Sequence, residues 1–472
     1  MNRSRRLAIA AFSATLIALF APAAAGAHGL AGRADLPIPE WLFGWAAAVV
    51  LAISFFAFAL LWREPTLETA EPTPRARVPR ALDIACGAVG VAVMLFLVFA
   101  GWTGSQKPAD NIVPTFVYVF VWSFLPLLSA VVGDVFRAFN PWRAAGWTAA
   151  WLAARATGER LPPPFDYPAR LGRWPAVVLL MSFGFVELVA TGGQDPSVLA
   201  SLIVVYGVIQ LVGMTLFGVD TWLERGDAFG IYFNAFSRIA PLTVGEGRFA
   251  TRPPLAGLTD INWLPGAVFF FCAAIGITAF DGATEGAAWQ SVSEPLTRFF
   301  ADLGLSGQAA LQTTFTVGLL CAVLIIFAIY RLGVAGMRWG GIDKPARELA
   351  RTFAPSLVPI VLAYVVAHYL SFIAFQGQAL WSLASDPLGE GSDWFGTAAG
   401  EINYTWLSAS TIWYLQIATL VVGHVAALAL AHDKALAVFG HARAAVRSQL
   451  WMLMVMVGFT NLGLWLLSQG NG

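Results

Sequence analysis

Glu187 and His368 both fall inside long apolar runs, where an ionisable group is expensive to keep and marks a functional position. Glu187 ends the stretch that starts at Val177, and His368 lies in Tyr364-Val-Val-Ala-His368-Tyr-Leu-Ser371. At about 1.5 Å of rise per residue, both sit about 20 Å from the basic end of their runs, so they can meet. Tyr364, His368, Ser371 and Phe375 share one helical face by their three- and four-residue spacing. Tyr414, Gln416 and Gln210 occupy neighbouring runs between the midplane and the opposite, acidic end. In one cavity, Glu187 would act as general base and His368 as proton shuttle or metal ligand. Tyr364 and Tyr414 would donate to developing negative charge, with Gln416 and Gln210 beside them. Alternatively, the same groups simply hydrogen-bond across helices and hold them together.

The elements that must position these residues are legible from hydropathy. Ten apolar stretches, near 40–62, 81–102, 112–133, 174–191, 198–224, 263–281, 309–330, 354–376, 405–430 and 449–468, match the roughly 20 residues that cross a bilayer. With 58% hydrophobic and 12% charged residues, the chain is too apolar for a soluble protein of 472 residues. The sequence therefore predicts an all-α fold, a polytopic bundle of about ten transmembrane helices, as one domain over 28–472. Of the 28 Lys and Arg residues, 22 lie in the gaps beginning at Arg63, Asp134, Arg225, Arg331 and Ala431. The intervening gaps hold only Arg33, Lys107 and Arg298, together with Glu285, Glu294, Asp302, Asp386, Glu390, Asp393 and Glu401. Lys and Arg resist translocation, so the first set is expected in the cytoplasm and the second outside. Zero net charge, split in this way, leaves no concentrated basic face for a nucleic acid.

Arg3, Arg5 and Arg6 precede an apolar run from Leu7 to Phe20 and then Ala25-Gly26-Ala27. That is the pattern of a secretory signal peptide over 1–27, cut after Ala27 or kept as an anchor. Cleavage would start the mature chain at His28 and put both of its termini outside the cytoplasm. A terminal His28 offers an α-amine and an imidazole to one ion, a pair suited to copper or another divalent metal, with His368 as a further ligand, and on that reading the chain would be a membrane component for copper handling. The remaining histidines do not form a ligand series. His424 and His432 are about 12 Å apart along a helix; His424 reads as bonded to a neighbouring helix or as a relay, and His432-Asp433-Lys434 as a solvated helix end. Cys86, Cys272 and Cys321 lie in apolar runs without paired spacing, as small core residues would.

Two basic gaps share a pattern. Gly133-Asp134-x-Phe136 leads to Phe139-Asn140, and Gly226-Asp227-x-Phe229 leads to Phe233-Asn234, with a spacing that differs between the copies. Each Asp would cap a short interfacial helix with Phe dipping into lipid. A second reading is an internal duplication of a span plus its interfacial helix. Pro114, Pro126 and Pro359 within spans and the polar cluster suit a transporter of a small solute. No Gly-x-Ser-x-Gly elbow and no Walker sequence occur.

The segment from Ala27 to Trp45 and the later Gly423-His-Val-Ala-Ala-Leu-Ala-Leu-Ala-His-Asp-Lys434 resemble a group of bacterial multi-pass membrane proteins labelled fenitrothion hydrolase. The resemblance implies a bacterial inner-membrane location and hydrolysis of a lipophilic organophosphorus triester, with P–O cleavage releasing a nitrophenol. It carries no catalytic motif residue by residue. The partners expected are thus the lipid bilayer and a small lipophilic molecule or transported solute.

Overall fold

In hydrocarbon a backbone must satisfy its own hydrogen bonds, so apolar runs of this length have to wind into helices. The computed structural model describes residues 40–159, 161–245, 247–261, 263–340 and 344–470. The expected signal peptide and His28 lie outside them.

The helices are α1 (Glu40–Leu61), α2 (Arg80–Thr103), α3 (Ile112–Val132), α4 (Val135–Phe139), α5 (Pro141–Thr157), α6 (Trp174–Leu188), α7 (Pro196–Phe217) and α8 (Val219–Arg225). They continue with α9 (Ala228–Ser237), α10 (Ala267–Thr284), α11 (Ala287–Asp302), α12 (Gly307–Gly336), α13 (Ala346–Thr352), α14 (Leu357–Ser385), α15 (Ala409–Phe439) and α16 (Ala442–Gly470). Among the described residues nine helices are long and apolar enough to cross a membrane: α1, α2, α3, α7, α10, α12, α14, α15 and α16. The protein is an all-α, multi-pass integral membrane protein.

Two expected spans come out shorter. Helix α6 has 15 residues, about 22 Å of rise against a core of about 30 Å. It stops where Val189 and Ala190 both donate to the Phe185 carbonyl and the chain turns through Gly192 (φ 76°). The stretch near 198–224 breaks at Gly218, whose φ of 87° ends α7 and lets α8 leave in a new direction. Within α3, Thr115–Phe124 is wound as a π-helix, and the Leu125 N–H reaches back five residues to the Phe120 carbonyl.

Helices α10 and α14 form the centre. Helix α10 packs on α6, α12, α14 and α16, while α14 packs on α15 and on the π-wound part of α3. Phe270, Phe271 and Cys272 of α10 are fully buried. Helices α1, α2, α7 and α12 expose apolar faces that only lipid suits.

Most basic loops gather at one end of the bundle. There β1 (Thr73–Arg77) pairs antiparallel with β3 (Arg248–Thr251), which pairs with β2 (Leu242–Gly245), in the order β1-β3-β2 with Thr73 opposite Thr251. Arg143 forms a two-point pair with Asp83 at 3.0 and 3.1 Å. The two Gly-Asp motifs meet at this end. Asp134 and Asp227 each cap their helix, accepting from Arg137 N–H and Gly230 N–H, both at 3.0 Å. Their asparagines are exchanged: Asn140 donates to Asp227 at 2.9 Å and Asn234 donates to Asp134 at 2.7 Å. The capping was expected, but the placement of α9 in lipid was not correct. Tyr232, Phe233 and Phe236 are fully buried in protein, since α9 packs between α3 and α6.

His432 and Asp433 are also buried rather than solvated. Helix α15 runs on to Phe439, so these residues face the α1–β1 loop. Asp433 accepts from the N–H groups of Thr66, Leu67 and Glu68 and from Trp62 Nε1, and His432 Nε2 bonds the Trp62 carbonyl at 3.0 Å. One carboxylate thereby pins a whole turn.

At the other end the α2–α3 loop is tied to the α14–α15 loop by Ser105 N–H to Leu388 O (2.7 Å) and Ile112 N–H to Pro387 O (3.1 Å).

Candidate functional site

Tyr369, next to His368, is the centre of the cluster. Helix α14 aims its hydroxyl at two carboxyls from different helices: Asp281 Oδ2 of α10 at 2.8 Å and Glu187 Oε1 of α6 at 3.2 Å. Trp122 Nε1, from the π-wound part of α3, donates to the same hydroxyl at 3.1 Å. His368 Nε2 hydrogen-bonds Asp281 Oδ2 at 2.9 Å. Four helices thus converge on one phenol oxygen, and Glu187 and His368 are joined through Tyr369 and Asp281 rather than directly.

Local sequence explains the convergence. Ala363 and Ala367 of α14 are small and fully buried, letting neighbouring helices approach as small residues do in membranes. Gly282 leaves room for the imidazole, since a Cβ there would sit 3.3 Å from His368 Nδ1. The π-wound turns present Trp122 inward, where it stacks on Tyr232 (centroids 5.1 Å, 14° between planes) and packs against Phe183 (4.7 Å).

Hydrogen-bond counting gives the site its character. A phenol brings one proton, so it cannot donate to Asp281 and Glu187 at once. For both contacts to be hydrogen bonds, one carboxyl must carry a proton of its own. Glu187 Oε2 and the Tyr232 hydroxyl are buried and have no hydrogen-bond partner in the protein. In a low-dielectric interior such groups are costly. The arrangement can therefore hold a proton and pass it between two carboxyls over one hydroxyl.

The other expected site residues divide. Tyr364 lines the same small cavity as His368, together with Thr278, Gly282 and Gly463, and donates to the Phe459 carbonyl at 3.1 Å. Gln416 is buried in α15. Tyr414 is half-exposed against Phe43 (centroids 6.0 Å) and belongs to the surface of α15. Gln210 accepts from Trp222 Nε1 at 2.8 Å, in the α7–α8 corner, away from the cluster. His424 bonds its own helix, Nδ1 to the Leu420 carbonyl at 2.7 Å, rather than a neighbour, and its Nε2 is buried without a protein partner. Among the described residues, no three His, Cys, Asp or Glu side chains are placed to hold a metal ion, and His28 lies outside them.

Sequence reasoning missed Asp281, Tyr369 and Trp122. Asp281 was legible: an acid near the end of an apolar run marks an intramembrane carboxylate as readily as a boundary, and α10 continues past it to Thr284. Tyr369 adjoins His368 in sequence. Trp122 had no signal of its own among nineteen tryptophans. Just beyond the span, Glu285 is exposed on one side, and partial desolvation raises its carboxyl above the usual range against the opposing pull of His368.

No family model, no curated protein and no solved structure matches this chain.

Proposed function

We propose that the chain is a proton-coupled secondary transporter of a bacterial inner membrane, with its basic end in the cytoplasm. The observation that carries this reading is the single phenol proton of Tyr369 set between the carboxyls of Glu187 and Asp281, with His368 at the Asp281 end. Transporters place such ionisable relays between helices, where moving a proton changes the charge that the helices must accommodate. With the proton on Glu187, Tyr369 donates to Asp281. With it on Asp281, Tyr369 turns to Glu187, and His368 loses its carboxylate partner. The exchange alters contacts among α6, α10 and α14 together, which a small solute on one side of the bundle can use.

Two measurements test it without a known solute. The infrared spectrum of the purified protein at neutral pH should contain a protonated-carboxyl carbonyl band that Glu187→Gln or Asp281→Asn removes. A pH jump on proteoliposomes should give a transient charge movement that the same variants lose. Absence of both in the native protein overturns the proposal.

A second reading rests on the Asp281–His368 pair. A carboxylate that fixes one imidazole nitrogen leaves the other to activate water, and His368 borders a cavity. Hydrolysis of a lipophilic organophosphorus triester, which the fenitrothion hydrolase resemblance implies, would use that pair as general base. Nitrophenol release by membranes containing the chain, with and without chelator, tests it. Release that Asp281→Asn leaves unchanged counts against this assignment.

A further inference from the structure

An apolar cleft with about 70 Å³ of interior space, open on one side, lies between α10, α12, α14, α15 and α16, away from the Tyr369 cluster. Its wall carries one polar group with nothing to bond. Gln449 is 1% exposed, and neither its Nε2 nor its Oε1 has a hydrogen-bond partner in the protein. The two hydroxyls beside it already donate elsewhere, Tyr330 to the Ala350 carbonyl at 2.7 Å and Ser356 to the Phe353 carbonyl at 2.7 Å. A buried amide left unmatched at both ends costs more than most single interactions contribute. Its free donor and free acceptor, side by side, are the complement of a carboxamide or a protonated carboxylic acid.

The cleft has a direction. Gln449 stands near the start of α16, at the basic end, and Phe459, on the same wall, is about 15 Å further along the helix towards the middle of the bilayer. Ile329 of α12 and Met452, Leu453 and Val455 of α16 line it and are only partly buried, on the side where the lipid-facing helices meet. A polar end near the membrane surface and an apolar slot running inward match the way a single-tailed amphiphile already lies in a leaflet. Such a molecule can enter sideways from lipid without crossing water.

We infer that this cleft binds a single-tailed lipophilic molecule ending in a carboxyl or carboxamide group, held by a paired hydrogen bond to Gln449 with its tail along α16 towards Phe459. The proposal is independent of the proton-transfer reading, since no residue is shared.

The test uses the full chain in nanodiscs and a diazirine-bearing palmitic acid as photoprobe. Labelled peptides should come from α12 around Ile329 and from α16 around Met452. Palmitic acid and palmitamide should both compete, which separates acid from amide recognition by their relative strength. Methyl palmitate and hexadecane, which cannot pair with both ends of an amide, should compete at least tenfold less well. Gln449→Leu should weaken labelling about tenfold, the size expected for losing two hydrogen bonds. Leu453→Trp fills the mouth of the cleft and should weaken labelling too. Thermal midpoints of both variants no lower than that of the native chain show that they fold. Labelling equal in native chain, Gln449→Leu and Leu453→Trp, or spread evenly over the lipid-facing surface of α2, would overturn the site.

Discussion

Two buried polar networks stand in this bundle, one at its basic end and one deeper within the membrane, and they are finished to different degrees. In the basic-end network every strong group is matched. Asp227 accepts from Gly230 N–H, from Asn140 and from the Tyr206 hydroxyl at 2.7 Å, while Asn234 holds Asp134 and accepts from Arg238 Nε at 3.1 Å. Burial raises the Asp227 carboxyl, but its Gly230, Tyr206 and Asn140 donors pull the other way. In the Tyr369 network one proton faces two carboxyls, and Glu187 keeps an oxygen that nothing in the protein meets. A matched network holds helices together. An unmatched one keeps its freedom to change state at a cost in stability, which is what a functional site requires.

The comparison breaks most easily at Asp227. Asp227→Ala removes the acceptor for three donors, buried Asn140 among them, and should cost on the order of 3 kcal/mol, read as a large drop in the thermal midpoint in detergent. A variant as stable as the native chain would mean that the basic-end network is not structural. Next in size is the exchange itself. Asn140→Ala and Asn234→Ala should each cost about 1 kcal/mol, and because they lie in one network the double variant should depart from the sum by more than about 0.5 kcal/mol. Strict additivity would leave the two motifs as independent caps.

In the Tyr369 network the expected change in stability is smaller and its sign is the informative part. Glu187→Gln keeps the shape, and its amide can donate to Tyr369 without a shared proton, so the thermal midpoint should stay within about 0.5 kcal/mol of native or rise. Proton-linked charge movement should disappear in the same variant. A fall comparable to that of Asp227→Ala would make Glu187 a structural group and erase the contrast.

The smallest effect concerns pH. The Ser385 hydroxyl and the Ala398 N–H hold the Asp393 carboxyl below its usual range, which anchors the loop after α14. A depressed carboxyl contributes stability above its unfolded value, about 3.9, and loses it as pH falls through the folded value. Hydrogen exchange in residues 385–400 should therefore be flat from neutral pH to about 5 after correction for intrinsic rates, then rise in stronger acid, while the Asp227 network stays protected. Loosening of that loop already at pH 6 would assign its anchor to another group.

Much of the fold was legible because each spanning helix announces itself in about twenty consecutive residues. Loops bonded to distant segments were not. Asp433 reads as a solvated charge because its partners, Thr66 to Glu68, lie more than 360 positions away, and no local period reports such a contact. The sequence puts Gln210 too near the acidic end: it sits in the half of α7 towards the basic end, bonded to Trp222 across a corner made by Gly218 that no local period reports. In the site, Glu187 and His368 stood out as ionisable groups in apolar runs, whereas Tyr369 and Trp122 are ordinary membrane residues until a third helix fixes their geometry. Asp281 was lost to a boundary placed three residues early. The two Gly-Asp motifs were readable as a pair, but only tertiary structure could show that their asparagines are traded.

The π-wound stretch of α3 bears on how such a bundle moves. A span wound wider than an α-helix spends more residues per unit of height, so Thr115–Phe124 is slack stored inside the membrane. Slack lets the lower half of a helix turn against the upper half while both ends keep their places at the two surfaces. Trp122 rides on that stretch and holds the Tyr369 hydroxyl. Winding the helix in or out would work as a clutch on the proton, engaging or releasing Tyr369 without tilting a single span.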